Sequence, residues 1–339
     1  MISVKGYISS NFTRSFLMIF LPFFFIISLI YLVKISALTA QIQISFGELL
    51  SLYSYSIPDI IFYTLPLSFV SALANVLLRL LQDNELIALY ALGLKAKDVL
   101  KSLLMLGFLF STLLLTISIL AMPLSKQLYK SFKKEKKSQA KLNIVAGKLG
   151  QKFGNYYIYV KRTKKGVFKN LVIYNRSDKN SEQFFSSKEG ELKNENQVVS
   201  LLLKDGYGYT YAHEKLRQIQ YKSLEVFDAL QSKAYKFETI GEYWSQIYTN
   251  KKIFHRLLFF IFVSLIPLLS VYIVASFTMI NPRYQANRSF LVIFTTTFTL
   301  YMIASSLEKW GTQYLLILST ILVWIVGQWL FDRRVSRYF

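Results

Sequence analysis

The chain has 339 residues, 53% hydrophobic and only 17% charged, with a mean hydropathy of +0.35; a soluble domain averages about 25% charge, so these proportions argue against a wholly soluble enzyme. Lys and Arg number 40 against 19 Asp and Glu, a formal charge of +21, and the 28 Phe and 23 Tyr exclude a disordered chain. Without Cys there are no disulfides, thiolate nucleophiles or Cys-ligated metals, and His213 and His255 alone leave little scope for a His-built metal site.

A membrane-crossing helix needs about 20 apolar residues, so uncharged intervals mark the main elements. The first covers 15–33. Its apolar core exceeds the roughly 7 to 15 residues of a secretory signal and no small-x-small cleavage site follows before Gln41, so it reads as a retained anchor. The second covers 60–78 and the third 102–125. Between them, residues 82–93 read QDNELIALYALG. Asp83 or Asn84 can cap a helix there, Glu85 sits in its first turn, and Gly93 supplies a left-handed stop, which predicts a short helix over about 84–92. Leu86, Leu89, Tyr90 and Gly93 share one side of it at 3/4 spacing. Such a helix is either a connector lying on the membrane surface or a coupling helix that seats in a groove of a soluble partner.

After the third interval, Leu128 and Phe132 stand at i, i+4 in a Lys-rich stretch, which predicts that helix running beyond the bilayer to about 142. The long insert then reads as β. Runs at 156–160, 168–174, 198–203, 207–211 and 222–227 are rich in Tyr, Val, Ile and Phe, with turn signals at 165–166, 175–180 and 205–206. Short strands at that spacing predict a sandwich or jelly roll. Glu189 and Glu191 fall in a polar, turn-like stretch and read as solvated. Three more uncharged intervals follow, at 257–282, 289–307 and 310–331. Pro22, Pro66, Pro123 and Pro267 lie in or at the ends of spans, where each can kink a helix or be tolerated in place. The expected fold class is an α-helical membrane protein of six transmembrane helices, with a β-jelly-roll domain inserted between helices 3 and 4. The expected division is 1–125, 126–252 and 253–339.

Orientation follows from Lys and Arg in the short connections. With the N-terminus in the cytoplasm, that side holds eleven, from Lys5 and Arg14 through Arg79, Lys95, Lys97 and Lys101 to Arg283, Arg288, Arg333, Arg334 and Arg337. The other side's connections, 35–59 and 308–309, hold Lys309 alone. The bias places the insert outside the cytoplasm. Seven basic residues between Lys126 and Lys141 oppose it, but long domains translocate largely regardless of charge.

No catalytic pattern is present. Residues 147–152 (GKLGQK) lack the spacing that cradles a nucleotide phosphate, and neither G-x-S-x-G nor H-E-x-x-H occurs. His213 and His255 read as surface or interfacial residues. Lys34, at the far end of the first span, reads as an ordinary snorkelling lysine.

The order of three spans, one β-domain and three spans, the segment from Glu85 to Gly93 (acid, Leu, x, Ala, four residues, Gly), and the tripeptide Asn281-Pro282-Arg283 together resemble one family. The chain is similar to the LptF/LptG-type permeases (YjgP/YjgQ family) of the lipopolysaccharide export ABC transporter, and the tripeptide resembles the LptF branch. The architecture covers essentially the whole chain, whereas the two motifs are short. The resemblance implies a non-catalytic permease subunit in the inner membrane of a Gram-negative bacterium, with its β-domain in the periplasm. It implies pairing with a second, LptG-like six-helix permease, an LptB-like dimeric cytoplasmic ATPase that uses ATP while this chain binds no cofactor, and an LptC/LptA-like jelly-roll bridge. The cargo would be lipopolysaccharide; no nucleic acid is expected. Glu85, Leu86, Tyr90 and Gly93 would be the ATPase-coupling residues, and Lys34 and Lys309 would meet cargo phosphates. A membrane-anchored envelope assembly or binding module without transport activity is the alternative from another class.

Overall fold

A computed structural model of the protein describes residues 4–39, 44–141, 144–153, 156–164, 166–178, 181–195, 198–212, 215–227, 237–279 and 289–337. The chain divides into two compact units: Met1–Ser36, Leu49–Leu128 and Glu238–Phe339 form one, and Ala37–Glu48 with Tyr129–Phe237 the other.

The first half of the helical part contains α1 (Val4–Thr39), α2 (Phe46–Ser54), α3 (Ile57–Gln82), α4 (Glu85–Ala91) and α5 (Ala96–Thr116), which runs through a π turn (Ile117–Ala121) into α6 (Met122–Lys141). After the insert come α7 (Ile240–Ser245), α8 (Lys251–Thr278), α9 (Ser289–Trp310) and α10 (Gln313–Phe331), which ends in a second π turn (Asp332–Ser336). Six of these segments are long and apolar enough to cross a membrane: Gly6–Ala37, Ile57–Gln82, Ala96–Lys133, Lys251–Thr278, Phe290–Trp310 and Gln313–Ser336. The sequence marked all six, but not α2 or α7.

Burial sorts the six. Most of the apolar stretch of α3 and of α8 is buried, whereas α1, α9 and α10 leave most of theirs on the surface. Helix α8 packs against α3, α5, α9 and α10. Its crossing with α5 is close: a Cβ on Gly107 would stand 3.2 Å from the Pro267 carbonyl oxygen. Pro267 cannot donate a helical hydrogen bond, and the following amide, Leu268 N–H, donates to Ser111 Oγ of α5 at 3.2 Å. A neighbouring hydroxyl thus keeps a disturbed backbone satisfied in a dry bundle. The π turn is met similarly, since Trp244 Nε1 of α7 donates to the Ile119 carbonyl at 2.9 Å. Helix α1 is held mainly through its first half, where Phe12 tilts against Phe69 (4.9 Å between centroids) and Phe16 meets Phe110 edge-on (4.8 Å). Beyond them Leu21, Phe25, Ile26, Leu29 and Val33 are exposed.

The insert is a single antiparallel sheet in sequence order: β1 (Gln151–Phe153), β2 (Tyr156–Lys164), β3 (Val167–Asp178), β4 (Ser181–Glu195), β5 (Val198–Ala212) and β6 (Lys215–Phe227). Pairing skips one row, Lys161, Asn170, Lys188, Asp205 and Lys222, where Asn170 and Asp205 adopt φ of 54° and 50°. There the buried positions of β5 change phase, from Leu201 and Leu203 to Gly206 and Gly208. Ile158, Val160, Leu171 and Ile173 on one side of the row share a core with Phe168, Leu201, Leu203 and Val226 on the other. The meander is therefore folded over itself, and a jelly-roll-like interior arises from bent strands. This corrects the turn expected at 205–206: two expected strands are one bent strand. It also corrects the turn expected around Glu189 and Glu191: both belong to β4, where their part-exposed carboxylates pair with Lys169 (3.5 Å) and Lys204 (3.3 Å). At the bend Tyr221 lies over Gly206 and donates to the Ser186 carbonyl at 3.1 Å.

Candidate functional sites at the two ends of the helical unit

Polar groups gather at both ends of the helical unit. The end with α4 holds the start of α1, the start of α5 and the close of α10. Helix α4 has seven residues, about 10 Å of rise. The side-chain cap expected from Asp83 or Asn84 is not made: Asn84 is left-handed (φ 60°) without a capping hydrogen bond, and the Asp83 carboxylate lies 3.5 Å from Arg79. The expected stop is present in full, with Gly93 at φ 86°, its N–H donating to the Tyr90 carbonyl (2.9 Å) and Leu94 N–H to the Leu89 carbonyl (3.2 Å).

The stripe carrying Leu86 and Tyr90 turns inward. Leu86 is fully buried in the bundle core and Tyr90 packs half-buried beside it, burial pushing its hydroxyl up to about 12. Ile87, Ala88, Ala91 and Leu92 are the exposed surface, Leu92 at 80%. The spacing identified an apolar face, and the protein's own core takes up Leu86, which seats α4 on the bundle. Glu85 Oε2 accepts from Tyr7 Oη of α1 at 2.8 Å, at the mouth of a groove lined by Asn11, Arg14, Asn75 and Arg79. Lys97 at the start of α5 bridges Asp332 at 3.0 Å, and Lys101 bridges Asp98 at 2.9 Å.

The end where the chain leaves for the insert is built differently. Lys34 (α1), Asp59 (α3), Lys126 (α6), Arg256 (α8) and Glu308 (α9) bring one ionisable group from each of the first five spans. Asp59 lies within electrostatic reach of Lys126, Lys34 and Arg256, and Tyr63 within reach of Asp59, Glu308 and Arg256. Lys126 Nζ stands 3.9 Å from Asp59 Oδ1 and over the Phe260 ring, and Lys34 Nζ lies 5.5 Å from the Tyr31 ring centroid. The Ser28 hydroxyl of α1 is hydrogen-bonded to the Tyr53 hydroxyl of α2. Lys309, in the last turn of α9, is exposed beside Glu308.

The structure thus brings Lys34 into a cluster and leaves Lys309 at its edge. Asp59, Lys126, Arg256 and Glu308 were not singled out by sequence reasoning. A signal existed, since each of them directly abuts an uncharged interval or lies one residue from its end. His213 and Asn281-Pro282-Arg283 lie outside the described residues, His255 is half-buried beside Phe254, and no cluster of metal-ligating side chains occurs among the described residues.

A family model described as Lipopolysaccharide export system permease LptF/LptG matches residues 6–333. No curated protein matches the sequence. The chain belongs to the LptF/LptG family: a multi-pass inner-membrane protein and a non-catalytic permease component of the lipopolysaccharide export system.

Proposed function

We propose that this chain is the LptF-like half of a permease pair that extracts lipopolysaccharide from the inner membrane, driven by ATP hydrolysed on an LptB-like ATPase dimer that docks on α4. Its β-domain lies in the periplasm and passes the lipid to an LptC/LptA-like bridge towards the outer membrane. The observation that carries this reading is the seat of α4: Leu86 and Tyr90 anchor it to the bundle, Glu85 is held by Tyr7, and Ile87, Ala91 and Leu92 are left as a bare outward face. A helix fixed on one side and apolar on the other suits the receipt of a push from another chain in the helix-in-groove manner. Glu85 and the Gly93 turn set the angle at which that face is shown.

Lys34 and Lys309 are assigned to the lipid's phosphates, with Lys34 the stronger because it sits within the charged cluster. The distribution of Lys and Arg, eleven on one side against Lys34 and Lys309 on the other, supports the orientation, and Asn281-Pro282-Arg283 supports the LptF branch. The test is mild detergent purification of the full chain from its native membrane with mass spectrometry of what accompanies it. A second six-span chain, a nucleotide-hydrolysing subunit and a phosphorylated glycolipid are expected. A chain that purifies alone, with α4 mutations changing nothing in export, contradicts the reading.

A further inference from the structure

The insert end contains a half-buried acid, Asp59, that the transport reading does not use. Asp59 occupies the first turn of α3, where the helix dipole favours a carboxylate. Its Oδ1 is buried and takes no hydrogen bond, while Lys126 faces it at 3.9 Å, at the outer limit of an ion pair. Lys34 and Arg256 reach it electrostatically from two other spans. A structural counter-ion is normally locked by hydrogen bonds, because burying a carboxylate without them is costly. This one is held across a gap, by cations belonging to three separate helices. Lys34 is exposed, so its ammonium is not committed to the pair. With Glu308 counted, which reaches Tyr63 of the same cluster, the group holds three cations and two acids, an excess of one positive charge that favours an anion.

We propose that Asp59 is a built-in competitor for lipid phosphate: a positioning residue that holds Lys126, and draws on Lys34 and Arg256, when no phosphate is present and yields them when one arrives. This deepens, and rests on, the reading of the chain as a lipid permease. Asp59 keeps the cations gathered and soluble in the membrane boundary without a ligand, and it weakens binding of the phosphorylated lipid enough for release. The recognised chemistry is a phosphate monoester or diester on a lipid, from a glycolipid or from a phospholipid headgroup.

The experiment uses the full complex in nanodiscs and measures bound lipid by mass spectrometry for wild type, Asp59→Asn and Asp59→Glu. The probes are bisphosphorylated lipid A and its dephosphorylated form in neutral-lipid discs, and phosphatidylglycerol discs without lipid A. Asp59→Asn is expected to retain phosphorylated lipid about three- to tenfold more strongly and to release it more slowly on ATP addition. Dephosphorylated lipid A is expected to bind both alike, and Asp59→Glu to behave as wild type. A gain on lipid A or on phosphatidylglycerol supports the proposal and names the source. A gain on neither, or weaker binding in Asp59→Asn, overturns it while leaving the permease reading intact, because wild type still binds. Wild type that binds no lipid A overturns the permease reading as well. Should Asp59→Asn fail to accumulate in the membrane, Lys126→Gln is expected to bind phosphorylated lipid less tightly than wild type with dephosphorylated lipid unchanged; equal binding of both overturns the proposal.

Discussion

The two ends of the helical unit use charge in opposite ways. At the α4 end two pairs are local and exposed, Arg79 with Asp83 at i, i+4 and Lys101 with Asp98 at i, i+3, and a third, Lys97 with Asp332, joins α5 to the turn after α10 through side chains that are about half exposed although Asp332 Oδ1 itself is shielded. Solvent screens such pairs, so they contribute little to holding helices together. Apolar packing does that work instead, through Phe12, Phe16 and the buried Leu86. At the insert end Asp59 and the three cations within its reach come from four different spans and meet around a carboxylate oxygen removed from water. The first arrangement leaves a surface that another chain can grip without disturbing an ion network. The second ties the relative positions of several spans to the charge state of one small region, which is where an anionic ligand acts with most leverage.

The contrast can be broken by mutation. The largest effect is expected at the α4 end but from an apolar residue: Phe12→Ala removes the ring that joins α1 to α3 and should cost about 3 kcal/mol, read as a fall in thermal unfolding temperature in detergent. Next comes Lys126→Met, which strands Asp59 beside more distant cations and should cost about 2 kcal/mol. The double variant with Asp59→Asn should recover most of that loss, because the penalty lies in the uncompensated charge. Tyr7→Phe removes one hydrogen bond to Glu85 at an exposed site, so global stability should fall by under about 1 kcal/mol while amide exchange in α4 rises. Lys97→Ala should be the smallest, within about 0.5 kcal/mol in the same melting assay. If Lys97→Ala destabilises as much as Lys126→Met, the two ends do not differ as described.

Much of this was legible in the sequence, and the gaps have physical causes. The six spans were readable because a bilayer imposes a length and a lack of charge that few other environments demand. Helix α4 was readable from Glu85 and Gly93, the latter because the left-handed turn excludes most other residues. Which side of α4 faces inward was not readable, since a 3/4 stripe fits its own bundle and a partner's groove equally well. The polar strand β4 escaped because Ser, Glu and Lys carry no strand period by themselves; its place is set by pairing with β3 and β5. The Asp205-Gly206 pair looked like a turn because a bend in a strand calls on the same left-handed backbone. Asp59 stood next to an uncharged interval, but its significance depends on three cations that are far apart in the chain and meet only in the fold.

The proposed topology sets α4 and the β-domain on opposite sides of the inner membrane, and the lack of native cysteines makes single-cysteine labelling a direct measurement of it. Leu92→Cys on α4 and Tyr157→Cys on β2 both stand on exposed side chains. In cells with a permeabilised outer membrane and an intact inner one, a membrane-impermeant maleimide should label Tyr157→Cys at once and Leu92→Cys only after lysis. Labelling of Leu92→Cys before lysis, with Tyr157→Cys protected, would contradict the account.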